Sequence, residues 1–383
     1  MRNYKVISAL ALLVIVAGLL TGCPQQTPEA KEPIKIAVLG PLTGDVATFG
    51  ESNRDGALMA IEEWNAKGGV LGRQIEAVIG DTKCDAGEAA NVANKVIFED
   101  KVHYIVGAVC SSASIPISEI ANPNKVLQIS GTSTNPAVTV NEDGSNKEYV
   151  FRACFLDPFQ GEVNAAMAYD ELGLRTAAVL YDVGNDYVKG LAEYFKSAFE
   201  AKGGTVPIFE AYTKDDTDFS ALLTKVADSG ADVLFLPDYY AKNNLIAAQI
   251  KDQGLDIQLL GGDGWDSPEL NLPLFEGGYH SNHYSPADPR DIVQNFVKAY
   301  ADKYGAEPDA LATLGYDAAV ILLKSIEAAG VDDPEKVKDA MASIKVEAVS
   351  GEIYFDENGD PIKMAAIIKV EGGQKVFYKF VAP

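Results

Sequence analysis

Two clusters of hydroxyl side chains, Ser111, Ser112 and Ser114 and then Thr132, Ser133 and Thr134, contain neither an acid nor a base. Neutral donors combined with backbone N–H groups at helix starts suit a carboxylate, which they can pair without titrating. A second set, Tyr187, Tyr239, Tyr240, Asp263 and Trp265, joins aromatic walls to one carboxylate, that of Asp263. An α-amino acid zwitterion needs both halves, donors for its carboxylate and an acceptor for its ammonium. Each residue also has an ordinary structural use. Serine and threonine cap helices, Asp263 between Gly262 and Gly264 suits a turn, and Trp265 and Tyr239 can pack a lobe. Only their convergence points to a ligand.

Catalysis has little support. Ser111 could serve as a nucleophile, but His103, His280 and His283 fall on an expected strand start and a late connection, and no G-x-S-x-G elbow occurs. His280 and His283 have metal-like spacing without a nearby acidic or cysteine ligand. Gly262 to Gly264 is not a dinucleotide fingerprint, because no G-x-G-x-x-G opens a helix. The expectation is therefore a non-enzyme with no catalytic residue, no metal and no cofactor.

The elements that must carry these residues alternate. Short β-branched runs are expected as strands at 34–39, 74–80, 104–109 and 126–130, with helices at 50–66, 86–99 and 115–121 between them. The order restarts with strands at 176–181, 206–212, 233–236 and 258–260 and helices at 188–201, 219–229 and 244–253. Both halves end a helix on the same AKGG, at 66–69 and 201–204, where glycine supplies a left-handed cap. Such alternation specifies an α/β protein of two lobes, each a mostly parallel sheet flanked by helices. Later helices at 292–304, 310–329 and 334–344 would complete lobe one. A hairpin of 352–355 with 364–370 about the turn 356–360 would complete lobe two. The expected boundaries are 34–154 plus 285–347 for lobe one and 155–284 plus 348–383 for lobe two, with three hinge crossings. Ligands of open parallel sheets bind beyond the carboxyl ends of strands, and both residue sets lie in such loops.

The first residues locate the chain. Arg2 and Lys5 precede an apolar run from Val6 to Leu20, the layout of a secretory signal at 1–22. The run is short of the ~20 apolar residues a membrane span needs. Leu20, Thr21, Gly22 and Cys23 resemble the lipobox of bacterial lipoproteins, so Cys23 is expected to be lipidated and to anchor the protein to the membrane. The stretch 23–33 reads as its tether. Loss of the leader's two positive charges takes the net charge from -23 to -25, an acidity that excludes a nucleic-acid partner. In an oxidising compartment Cys84 and Cys110 can pair. Cys154 is left over, expected as a buried, inert thiol.

The runs at 40–51 (GPLTGDVATFGE), 65–76 (NAKGGVLGRQIE), 81–95 (DTKCDAGEAANVANK) and 106–116 (VGAVCSSASIP) resemble the leucine/isoleucine/valine-binding proteins. These are the substrate-binding subunits of branched-chain amino-acid ABC transporters, with a type I periplasmic binding fold, and the resemblance extends from Ile34 to Phe380. It implies that Ser111 and Thr134 hold a ligand carboxylate, that the backbone of Thr132 helps receive the ammonium, and that Asp263 pairs with it. Tyr239, Phe49 and Tyr187 become cleft aromatics, and Cys84–Cys110 the family disulfide. Two departures stand out. Asp263 replaces a glutamate one methylene longer, and Thr132 and Ser133 replace residues that are often alanine. The expected protein is a monomeric extracytoplasmic receptor that delivers a small, branched-chain or apolar amino acid to a membrane permease. The alternative is an amino-acid or amide sensing module of the same fold.

Overall fold

In the computed structural model, residues 31–383 are described; the leader and Cys23 lie outside them. The apolar runs become strands whose two faces are both covered. Tyr104–Gly107 and Val233–Leu236 are buried at every position, as expected of parallel strands under helices. In chain order the strands of the first sheet are β1 (Ile34–Gly40), β2 (Ile75–Asp81), β3 (Tyr104–Gly107), β4 (Leu127–Ser130) and β5 (Val150–Arg152). They are arranged β2-β1-β3-β4-β5 and all pair in parallel.

The second sheet repeats the motif and extends it. It contains β6 (Thr176–Asp182), β7 (Thr205–Tyr212), β8 (Val233–Leu236), β9 (Gln258–Gly261) and β10 (Tyr279–Asn282), all parallel. A small separate hairpin pairs β11 (Val346–Ala348) with β12 (Gly351–Ile353). The antiparallel strands β13 (Ala365–Glu371) and β14 (Gln374–Val381) then join the second sheet, giving the order β14-β13-β10-β9-β8-β6-β7. This is the mixed α/β, two-sheet architecture that the alternation specified.

The late hairpin differs from expectation. Residues 352–355 do not pair with 364–370; 356–360 closes only a single bridge, Phe355 to Pro361. The real turn of the second hairpin is Gly372–Gly373, both left-handed at φ 61° and 72°, a conformation that favours glycine. Ala348 and Ile353 are buried in the core under the first sheet, and Phe355 packs against it. The stretch 348–355, expected in lobe two, thus packs on lobe one, because its apolar side chains find that core. The chain passes between sheets after β5, after β10 and between β12 and β13.

Candidate functional site

The carboxyl ends of β3 and β4 deliver the hydroxyl clusters, and those of β6, β8 and β9 deliver Tyr187, Tyr239 and Asp263. The helix after β3 begins at Ser111, four residues earlier than periodicity suggested, and runs to Ala121. The first N–H groups of a helix have no partner within it, so this start presents donors beside the Ser111 hydroxyl. That hydroxyl in turn accepts from the Asn135 N–H at 3.3 Å. The Cys84–Cys110 disulfide is formed, with Cα atoms 5.5 Å apart, immediately before this helix.

A small cavity lies between the sheets, lined by Phe49, Ser111, Thr132, Tyr187, Tyr239 and Asp263 together with Val109, Cys110, Gly264 and Leu311. Six of the nine candidate ligand residues therefore meet around one space. Larger hollows exist elsewhere, such as one beside Glu51, Asp55 and Asp309, but none sets the hydroxyl cluster against Asp263. Tyr187 and Tyr239 stack with centroids 5.3 Å apart, and Phe49 meets Tyr239 edge-on at 5.5 Å.

Three candidates stand elsewhere. Trp265 is fully buried under the loop, its Nε1–H donating to the Leu236 carbonyl at 2.9 Å and its ring against Phe275. The indole occupies the space a side chain at Gly261 would need, since a Cβ there would come within 2.0 Å of it. The Ser133 hydroxyl bonds the carbonyls of Ala108 and Val109 and the Ser114 hydroxyl; it splints two loops. Thr134 is buried and its carbonyl accepts from the Asp157 N–H at 3.0 Å. The Thr132 hydroxyl also turns inward, to the Val109 carbonyl at 2.8 Å, and its N–H donates to the Ser130 hydroxyl at 3.4 Å, which leaves its carbonyl for the cavity.

Asp263 is the charged centre. Its Oδ1 accepts from Gln160 Nε2 and from the Tyr187 hydroxyl, both at 2.7 Å, and its Oδ2 lies 3.0 Å from His283 Nε2. Burial pushes the carboxyl pKa up, but the His283, Gln160 and Tyr187 contacts outweigh it and hold the group below the usual carboxylate range. Burial also lowers the His283 pKa, against the pull of Asp263. The site therefore pairs an ionised carboxylate with a neutral imidazole. A second acid, Asp157, is fully buried nearby, and burial raises it to about 8, against the Thr134 hydroxyl and Arg152.

Gln160, His283, Asp157 and Leu311 were not singled out as ligand-site residues from sequence. Asp157 and Gln160 sit on the Asp157–Ala166 helix and Leu311 on the Ala310–Ala329 helix, outside the strand-end loops, and His283 sits just past β10, a strand not expected from sequence. Polar residues at 157, 160 and 164, spaced on one face of the helix, were the available signal.

The two halves touch on both sides of the cavity. On one rim the Thr48 hydroxyl donates to the Tyr240 hydroxyl at 2.7 Å, and Tyr240 donates to the Asp45 carbonyl at 3.0 Å. On the other, Asp186 N–H donates to the Ser112 hydroxyl at 3.0 Å and Asn135 Nδ2 to the Asp186 carbonyl at 2.8 Å. The cavity is shut. Among the described residues no cluster suited to a metal ion is found, and no helix is long and apolar enough to cross a membrane.

Comparison with known proteins gives a consistent picture. A family model described as periplasmic binding protein matches residues 33–375. A leucine-, isoleucine-, valine-, threonine- and alanine-binding protein of Pseudomonas aeruginosa is 37% identical over 336 residues, covering 86% of this chain and 88% of its own. The crystal structure of a leucine-binding protein, LivK, from Thermotoga maritima superposes with a TM-score of 0.86 at 38% identity, over 91% of this chain and 99% of its own. LivJ from Streptococcus pneumoniae, solved with isoleucine, gives a TM-score of 0.85 at 29% identity, over 92% and 100%.

Proposed function

Since the chain belongs to the periplasmic binding protein family, we propose that it captures an aliphatic, branched-chain amino acid between its lobes and delivers it to an ABC transporter permease. The observation that carries this reading is the opposition of Asp263, ionised and buried, to the Ser111 helix start across one small cavity. In it the ligand carboxylate meets the Ser111 hydroxyl and first-turn N–H groups, and the ammonium meets Asp263 and the Thr132 carbonyl. Phe49, Val109 and Leu311 offer the apolar end for the side chain. Charge-assisted hydrogen bonds contribute roughly 1.5–3 kcal/mol each, and burying an aliphatic side chain roughly 1.5–3 kcal/mol. Micromolar binding or tighter follows.

The three passages between sheets act as the hinge about which the lobes open and close, in the manner of other two-lobed binding proteins. Anchoring at a lipidated Cys23 and a monomeric state outside the cytoplasm complete the proposal; they rest on the leader sequence and the family. Calorimetry with leucine, isoleucine, valine, alanine, phenylalanine and glutamate tests the ligand class. The aliphatic branched-chain members should bind at micromolar concentration or below, and a preference for glutamate or phenylalanine would refute it.

A further inference from the structure

We infer that His283 is a positioning residue that fixes the ammonium-binding edge of Asp263 and ties it to the hinge. The inference rests on the proposed amino-acid ligand and goes beyond it. A carboxylate offers about four lone-pair positions. Gln160 and Tyr187 occupy two on Oδ1, and His283 occupies one on Oδ2. One direction remains on Oδ2, and Asp263 lines the cavity. A rotation of the carboxylate would break all three contacts at once, so the free position is held in place for one N–H of the ligand.

His283 is itself immobilised. Its ring stacks on Phe155, with centroids 3.8 Å apart and planes 26° apart, and is buried. Phe155 follows β5 and His283 follows β10, so the stack joins two of the three passages between sheets. The imidazole thereby connects the hinge to the acid that would read the ligand's ammonium. Because Asp263 is ionised, the shared proton resides on His283 Nε2, and the buried Nδ1, which has no hydrogen-bond partner, is the unprotonated nitrogen. A neutral donor in this place orients Asp263 without cancelling its charge, which a lysine or arginine would do.

The test separates positioning from simple packing. Affinities of leucine and of 4-methylpentanoate, which lacks only the amino group, are measured by calorimetry on the wild type, on His283→Phe and on His283→Gln. Wild type should prefer leucine at least thirtyfold. In His283→Phe that preference should shrink about tenfold while 4-methylpentanoate binding stays within threefold, and His283→Gln, which keeps an N–H donor, should restore most of it. An equal loss for both ligands would make His283 a packing residue and overturn the inference. No preference in the wild type would overturn the amino-acid reading itself. Independently of any variant, nitrogen NMR of the leucine-bound wild type should show His283 neutral and protonated on Nε2. A proton on Nδ1 alone, or a cationic ring, overturns the inference.

Discussion

Replacing Asp263 by asparagine removes one negative charge while keeping the side chain's size and one carbonyl oxygen for Gln160 and Tyr187. The new amide would face His283 Nε2, 3.0 Å from the present Oδ2, and two donors cannot share that contact. The imidazole can relieve the clash by moving its proton to Nδ1, which is buried and has no partner. The fold should therefore survive, with a stability loss on the order of 1–3 kcal/mol for an imperfectly satisfied buried group. Ligand binding loses more specifically. The ammonium exchanges a charged acceptor in a buried site for an amide that offers no counter-charge, and breaking such a buried pair costs several kcal/mol. At least about 2 kcal/mol, near thirtyfold in Kd, should be lost for leucine. Isothermal calorimetry on folded variant, with thermal unfolding as the control, reads this directly. A loss of tenfold or less with the fold intact would show that Asp263 does not carry the ammonium.

Further outcomes follow from buried groups around the same site. The Asp157 pKa stands at about 8 in the fold against about 3.9 for a free aspartate, so the native state holds a proton that the unfolded chain has released between those values. Stability from this group is present below about pH 4 and is lost as pH rises towards 8. Asp157→Asn should gain stability relative to wild type by at least about 1 kcal/mol between pH 5 and pH 7 in urea unfolding; parallel stability curves would refute it. Arg152 is fully buried, bonded to Asp360 at 2.5 Å, to the Ser133 carbonyl at 2.7 Å and to the Thr139 hydroxyl at 2.8 Å. Arg152→Met should cost roughly 3–5 kcal/mol by stranding Asp360, and Arg152→Met with Asp360→Asn should recover part of it; a loss below about 1 kcal/mol for the single variant would contradict this. Removing the Cys84–Cys110 bridge by Cys→Ala at both positions should cost about 3–4 kcal/mol by chain entropy. It should also weaken leucine binding, because Cys110 precedes Ser111; unchanged affinity would detach the bridge from the site.

The alternation of strands and helices was legible because strands covered on both faces read as unbroken apolar runs, and β3 and β8 are buried throughout. The strand-end loops then brought Ser111, Thr132, Tyr187, Tyr239 and Asp263 to one cavity. Orientation was not legible. Trp265 lies in the right loop but turns into the space left by Gly261, and Ser133 turns back to the carbonyls of Ala108 and Val109. Both directions depend on neighbours far along the chain. The same holds for Gln160 and His283, which reach Asp263 from residues 103 and 20 positions away. The hairpin was misplaced because 356–360 carries a strong turn pattern, whereas Gly372–Gly373 sits between strands whose partner sheet the local pattern does not reveal.

A crystal structure of the protein grown with leucine tests the central claim most directly. The account predicts the amino acid in the cavity between the sheets, its ammonium within hydrogen-bonding distance of Asp263 Oδ2 and its carboxylate at the Ser111 helix start. Leucine seated in another hollow, or reversed so that its carboxylate faces Asp263, would contradict it.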